Sequence, residues 1–336
     1  MPALAVAERL RAEGADVAFV GGNRAEAELV PAAGFPFHEI SVAGLSRSNP
    51  VAAARALGLA AIALPRARRL LQSLSADAVM GAGGYVAAPV GAAAIASRLP
   101  LVLTEADSHL GLSNRMLAPF ARRVCLAFPL AGRDGARYLV TGRPIPEPRS
   151  DRHTARERFG IGDEETCVLV FGGSLGARSI NLAAMEAFAD APFHVLHVCG
   201  TRDYPELAAR ERAAGYDLRE YLGQEAFADA LCACDLVVAR AGGSVFEIAA
   251  SARPSILVPY PHAAADHQSE NARWMAQAGA AVVIADAALD AERLSAEVGA
   301  LLGDAARRSE MAAAAGALAR PDAAREVARE LLEAAG

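Results

Sequence analysis

Short apolar runs alternate with longer stretches of helical period along the whole chain. In the first half DVAFVGG, DAVMGAGG, LVLTEA and RRVCLAFP read as strands; in the second, CVLVFGGS, HVLHVCG, LREYL, DLVVARAGG, SILVPYP and AAVVIAD do. The Ala- and Arg-rich segments between them repeat at helical spacing, which is the rhythm of strand-helix-strand units building a parallel sheet covered on both faces. The chain opens on MPALAVAERL, where Pro2 at a first helical position and Leu4, Val6, Ala7 and Leu10 behind it predict an amphipathic helix. The pattern breaks at TGRPIPEPRSD, whose three alternating prolines exclude helix. The expected organisation is therefore α/β, with two Rossmann-like parallel-sheet domains over residues 1–146 and 147–336 facing a cleft, and a last helix able to pack back on the first half.

A length of 336 residues suits two cores better than one, and 53% hydrophobic with 5% aromatic residues fits helices packed on parallel sheets. All 33 basic residues are arginine, from which no function follows. A net charge of −6 lacks the basic footprint of a nucleic-acid binder. No apolar run reaches the roughly 20 residues a membrane span needs, and no signal-like segment precedes the first element, so the chain is expected to stay in the cytoplasm. Cys125, Cys167, Cys199, Cys232 and Cys234 are expected to be buried reduced thiols; the Cys-x-Cys at 232–234 lacks a second ligand pair, and no metal is expected.

Chemistry concentrates where strands end. VLVFGGSLGARSIN is a strand running into a turn and then a helix: Gly172, Gly173 and Gly176 allow close backbone approach, while Ser174 and the helix N-terminus offer donors to a diphosphate. VVARAGGSVFEIAA repeats the device with Gly242, Gly243 and Ser244. There Glu247 either caps its helix or accepts ribose hydroxyls. VPYPHAAADHQSENARW gathers His262, Asp266, His267, Gln268 and Asn271 after another strand. In the first half, Gly81, Gly83 and Gly84 follow one strand, and Glu105, Asp107, Ser108 and His109 follow the next. Those carboxylates are either ordinary helix leaders or candidates for acceptor binding and proton transfer. With no Asp-x-Asp metal signature, a nucleotide-sugar enzyme of this kind would stabilise its leaving diphosphate with helix N-termini and hydroxyls. LGLAAIALPRARRLLQSL sets Leu57, Leu59, Ile62 and Leu64 beside Arg66, Arg68 and Arg69: a core helix with a solvated face, or a dock for an anionic membrane.

In this order the blocks PALAVAERL, GGYVAAP, GGSLGARSIN, RAGGSVFEIAA and DHQSENA resemble, nearly end to end, the MurG family of GT-B glycosyltransferases. That family adds N-acetylglucosamine to lipid I in bacterial peptidoglycan synthesis, and so serves cell-wall biogenesis, cell shape and division. The resemblance implies inverting transfer from UDP-N-acetylglucosamine to lipid I, without a cofactor, by a peripheral protein on the cytoplasmic face of the cell membrane. Ser174 would contact the diphosphate or sugar and Leu222 would lie against uracil. Gly243, Ser244, Val245, Phe246 and Glu247 would hold ribose and phosphate, and Gln268 with Asn271 the sugar. Gly83, Gly84, Tyr85 and Arg143 would serve the acceptor, with Glu105, Asp107 and His109 as catalytic candidates and residues 57–69 on the membrane. Another UDP-sugar lipid transferase, a nucleotide-sugar 2-epimerase and a non-catalytic nucleotide-sugar-binding relative are the alternatives.

Three positions depart from the family pattern. Asp107 stands where the family has asparagine, GRPIP has Pro146 where the family has arginine, with Arg143 inside the block as a substitute, and GGSVFE is one residue shorter. In the family a strand and a glycine loop ending in a candidate base histidine precede PALAVA. The first strand of a doubly wound sheet is central, and losing it leaves buried N–H and C=O groups unpaired at about 1–3 kcal/mol each. About 10–20 further residues upstream of Met1, forming that strand and loop, are therefore the expectation.

Overall fold

The computed structural model describes residues 2–23, 25–40, 50–263 and 266–336, with the backbone alone over 50–61. Twelve strands are present among them: β1 (Phe19–Gly21), β2 (Phe37–Glu39), β3 (Val79–Gly81), β4 (Leu101–Glu105), β5 (Arg123–Leu126), β6 (Tyr138–Val140), β7 (Cys167–Phe171), β8 (His194–Val198), β9 (Tyr216–Arg219), β10 (Leu236–Ala239), β11 (Ser255–Leu257) and β12 (Ala281–Val283). Every pairing is parallel, as the alternation of apolar runs and helical segments requires. β2 and β6 are strands that the apolar runs do not announce. β9 lies at Tyr216–Arg219, ahead of the expected LREYL, because it pairs Val195 with Tyr216 and Val198 with Arg219 along β8.

The chain divides into two compact units, 1–145 with 321–336, and 146–320. In the first, β3-β4-β5-β6 form one sheet and β1-β2 another. Helix Pro2–Ala12 buries Ala5 and Val6 against Val102 of β4, Cys125 of β5 and the face Ala324, Val327, Ala328, Leu331 and Ala334 of helix Ala323–Ala335. Arg123 fastens that last helix by donating from Nε to Glu330 Oε2 at 2.8 Å. The long helix Pro50–Ser73 buries Ala63, Ala67 and Leu71 at four-residue intervals and packs on helix Gly84–Ala96.

The second unit is one six-stranded sheet, β12-β11-β10-β7-β8-β9. β7, β8 and β9 run out to one side and β10, β11 and β12 to the other, so the strand order reverses between β7 and β10. In such sheets this switch point opens a crevice at the carboxyl ends of the strands. The inner strands are continuously apolar and buried on both faces, as in CVLVF and LVVA. Beneath the sheet Arg156, almost wholly buried, donates to the carbonyls of Gly162, Asp163, Glu165 and Ala233 and to Asp235 Oδ2. The guanidinium is tolerated there because five acceptors satisfy it. All five cysteines are free and buried, and burial pushes the thiols of Cys125 and Cys234 up to about 12, so they remain protonated and unreactive.

His197 in the middle of β8 is fully buried, and desolvation lowers its pKa from 6.5 to about 3. Below pH 6.5 an unfolded chain takes up a proton at this position that the native state refuses. Stability from this group is thus intact above pH 6.5 and falls as pH drops towards 3, by about 1.4 kcal/mol per pH unit for one proton. The unfolding free energy of His197→Gln, measured by denaturant titration between pH 6 and pH 4, should therefore fall less steeply than that of the parent, by close to one proton. Equal slopes in the two proteins would refute the assignment.

Candidate functional site

In the second unit the predicted loops follow β7, β9, β10 and β11, and parallel strands bring all four to one edge of the sheet. The two Gly-Gly-Ser turns follow β7 and β10, which are paired through Val170 with Val238 and Phe171 with Ala239, so they flank the switch point itself. Gly172–Gly176 form the first turn, closed by Gly176 N–H donating to Gly173 O at 2.9 Å, and helix Arg178–Ala187 starts immediately after it. Gly173 and Ser174 are exposed at the tip. The turn is pressed onto the end of β8. A Cβ on Gly176 would lie 1.9 Å from Cys199 O, and one on Gly200 2.1 Å from Gly176 N, with both residues at φ near +80°. Only glycine fits either place.

The second turn leads into helix Val245–Ala250, which carries Glu247, half-buried, in its first turn, with Val245 and Phe246 buried beside it. Asn271 reaches over from helix His267–Gln277: its Nδ2 donates to Ala241 O at 2.9 Å and Gly242 O at 3.4 Å, while its Oδ1 is buried without a protein partner. Gln268 accepts Tyr260 N–H on Oε1 at 2.9 Å, and its Nε2 would lie 3.9 Å from a Cβ on Gly242. Gln268, Asn271 and the Gly242 turn are thus assembled together. Leu222 is half-buried in the loop after β9, next to the exposed ring of Tyr221.

One side chain that the motifs did not single out ties these loops together. Arg240, at the end of β10, donates from Nη2 to Ser179 Oγ at 2.8 Å. From Nη1 it donates to Asp286 Oδ1 at 2.6 Å, and to the carbonyls of Val258 and Pro259. Ser179 itself donates to Asp286 at 2.6 Å, and the guanidinium carbon sits 5.4 Å from the ring centre of Tyr260. The elements after β7, β10, β11 and β12 therefore share one nearly buried cation. Its signal in the sequence is an arginine at the end of an apolar strand, one residue before a Gly-Gly turn.

In the first unit Glu105 ends β4 buried, and its carboxylate accepts three N–H bonds: from Asp107 N at 3.2 Å, Gly111 N at 2.8 Å and Asn114 Nδ2 at 3.0 Å. So held, it acts as the anchor of the 105–111 turn. Asp107 is half-buried and His109 exposed on that turn. Asn114 also donates to Thr104 O, and Ser113 Oγ to Gly84 O, which joins the turn to the Gly83-Gly84-Tyr85 segment at the start of helix Gly84–Ala96. Tyr85 is 51% exposed there, and Arg143 is half-buried in the loop after β6. Leu57 and Leu59 lie outside the residues whose side chains are described. Ile62 and Leu64 are 54% and 37% exposed, beside exposed Arg66, Arg68 and Arg69. Among the described residues no helix is long and apolar enough to cross a membrane, and no three His, Cys, Asp or Glu side chains gather as metal ligands.

Residues 1–126 match the glycosyltransferase family 28 N-terminal domain, and residues 167–327 the family 28 C-terminal domain. The chain is 42% identical over 337 residues to a Rubrobacter xylanophilus protein named UDP-N-acetylglucosamine–N-acetylmuramyl-(pentapeptide) pyrophosphoryl-undecaprenol N-acetylglucosamine transferase, covering 98% of each chain. A Moorella thermoacetica protein of the same name is 39% identical, covering 99% of this chain and 95% of the other. Among solved structures, Acinetobacter baumannii MurG superposes with a TM-score of 0.77 at 29% identity, over 99% of this chain and 95% of the other. With both halves of the family model matched in order, and with curated relatives of that identity along nearly the whole length, the chain belongs to glycosyltransferase family 28 as a MurG-type, GT-B glycosyltransferase.

Proposed function

We propose that this enzyme transfers N-acetylglucosamine from UDP-N-acetylglucosamine to lipid I, with inversion, to form lipid II. The observation that carries the reading is the pair of Gly-Gly-Ser turns at the switch point of the second unit's sheet, with Glu247, Gln268 and Asn271 assembled around the second. This is the arrangement a nucleoside diphosphate sugar needs. The diphosphate takes backbone N–H groups at the 172–177 turn and the hydroxyl of Ser174, at the start of a ten-residue helix. Glu247 accepts the ribose hydroxyls with Gly243, Ser244, Val245 and Phe246 around it, Leu222 lies on uracil, and Gln268 and Asn271 hold the sugar. The buried, unpaired Oδ1 of Asn271 supplies an acceptor for a sugar hydroxyl.

Gly83, Gly84, Tyr85 and Arg143 bind the acceptor. Its sugar hydroxyl loses a proton to Asp107 or His109 on the turn that Glu105 anchors, the oxygen attacks the anomeric carbon, and UDP departs stabilised by the donor loops. Exposed Ile62 and Leu64 with Arg66, Arg68 and Arg69 hold the protein peripherally on an anionic, cytoplasmic membrane surface where the lipid acceptor resides.

Incubation with UDP-N-acetylglucosamine and lipid I tests the reading directly by the appearance of a disaccharide-linked product. Glu247→Ala and Gln268→Ala should each raise the KM for the donor about tenfold or more, the weight of a hydrogen bond to a charged group, with the fold unchanged. Unaltered donor titrations in both variants would overturn the site. For the membrane face, replacing Arg66, Arg68 and Arg69 together by glutamine should weaken co-sedimentation with anionic vesicles, at about 1 kcal/mol per arginine, and less so as salt rises. Equal sedimentation of the two proteins would reduce the segment to a core helix with a wet face.

A further inference from the structure

Under the 172–177 turn runs a chain of buried polar groups that no step of the transfer uses. Asn181, on the second turn of helix Arg178–Ala187, has Nδ2 2.8 Å from Cys199 O and 2.8 Å from Asp203 Oδ2. Both are acceptors only, so the amide orientation is fixed and Oδ1 faces His197 Nε2 at 3.1 Å. Nε2 must therefore carry the imidazole hydrogen. Nδ1 is then bare and accepts from Tyr216 O–H at 2.8 Å. Asp203, 3% exposed, takes Arg202 and Arg178 on its carboxylate, and these bonds hold its pKa below the usual value although burial would raise it. The sequence of donors runs one way from Tyr216 to His197 to Asn181, and every member is satisfied.

The far end of this chain touches the donor loop. Cys199 O, which accepts from Asn181, is the atom against which Gly176 is packed, and a Cβ on Gly176 would lie 3.3 Å from Asn181 Nδ2. An amide turned over at 181 would set its Oδ1 against Cys199 O and Asp203 Oδ2, acceptor facing acceptor, and would loosen the contact that gives the turn its shape. The turnover is opposed by these two acceptors on one side of the amide and by the N–H that His197 donates to Oδ1 on the other.

We propose that His197 is a positioning residue for the diphosphate loop: its Nε2–H, donated to Asn181 Oδ1, completes the set of bonds on the amide that holds Gly176 on the end of β8, and so helps shape the 172–177 turn for the donor. The shaping rests on the structure alone; its value for UDP-sugar binding rests on the function proposed above.

Three variants of the full chain separate this role from plain core stability. In His197→Gln the side-chain amide N–H reaches the place of Nε2 and keeps the donation. In His197→Asn the shorter amide reaches only the place of Nδ1. Tyr216→Phe removes the bond to Nδ1 and leaves the donation to Asn181 intact. In the ligand-free protein, backbone hydrogen exchange over 173–177 should accelerate about tenfold in His197→Asn and stay within about twofold of the parent in the other two. Isothermal titration with UDP and with UDP-N-acetylglucosamine should follow the same order, with KM for the donor raised about tenfold in His197→Asn alone and kcat little changed.

Parent-like exchange in folded His197→Asn overturns the proposal, as does equal acceleration in His197→Gln and His197→Asn. If His197→Asn does not fold, Tyr216→Phe decides: accelerated exchange and weakened donor binding there overturn the proposal, and parent-like values with lowered stability support it. Exchange that follows the expected order in a protein whose parent binds neither UDP nor UDP-N-acetylglucosamine leaves the positioning standing and removes the function assigned to the loop.

Discussion

The contact between Gly176 and the Cys199-Gly200 backbone is the constraint on which the loops of the second unit depend. It brings the turn after β7 onto the end of β8 closer than any side chain would permit, since a single methyl group would have to occupy space 1.9 Å from a carbonyl oxygen. Both glycines pay for this closeness in backbone entropy. In return, the N–H groups at the start of helix Arg178–Ala187 are presented at the switch point rather than over the body of the sheet. The N–H groups belong to the helix terminus; where they are presented belongs to the two glycines.

Around that contact the loops are joined by shared polar partners. Arg240 serves the elements after β7, β10, β11 and β12 with one guanidinium, and Asn271 bonds the turn after β10 to the helix that bears Gln268. Loops joined in this way are already ordered, and under the function proposed above a donor bound there would meet a lower ordering cost. In the first unit the same economy recurs with opposite charge. The carboxylate of Glu105 gathers three N–H donors and closes the turn carrying Asp107 and His109. The two carboxylates that look alike in LVLTEAD therefore have different work: one is the frame and the other is presented by it.

The parallel α/β architecture was legible because inner strands such as CVLVF and LVVA are apolar without interruption, and strand-glycine-helix transitions mark where those strands end. Short strands were not legible. β2 holds FHE and β6 YLV, three residues each, with neither length nor alternation to set them apart from loop. β9 was displaced because Tyr216 is a strand residue only through its pairing with Val195, a relation twenty-one positions away. Glu247, Gln268 and Asn271 could be singled out as candidates, since their motifs are local. Arg240 with Asp286, and His197 with Asn181, could not. Their meaning lies in partners 46 and 16 residues away, and no local pattern records such distances.

The return of helix Ala323–Ala335 to the first unit bears on how the chain is made. Val6, Val102 and Cys125 lack the cover of Val327, Ala328 and Leu331 until the last helix arrives, so on the ribosome one seam of the first unit is the last part of its core to close. The second unit has all its strands between Cys167 and Val283 and can condense while that seam is still open. Arg123 must meanwhile await Glu330, 207 residues downstream. Vectorial synthesis thus leaves an apolar stripe of the nascent protein exposed for most of its elongation, a surface that holdase chaperones bind.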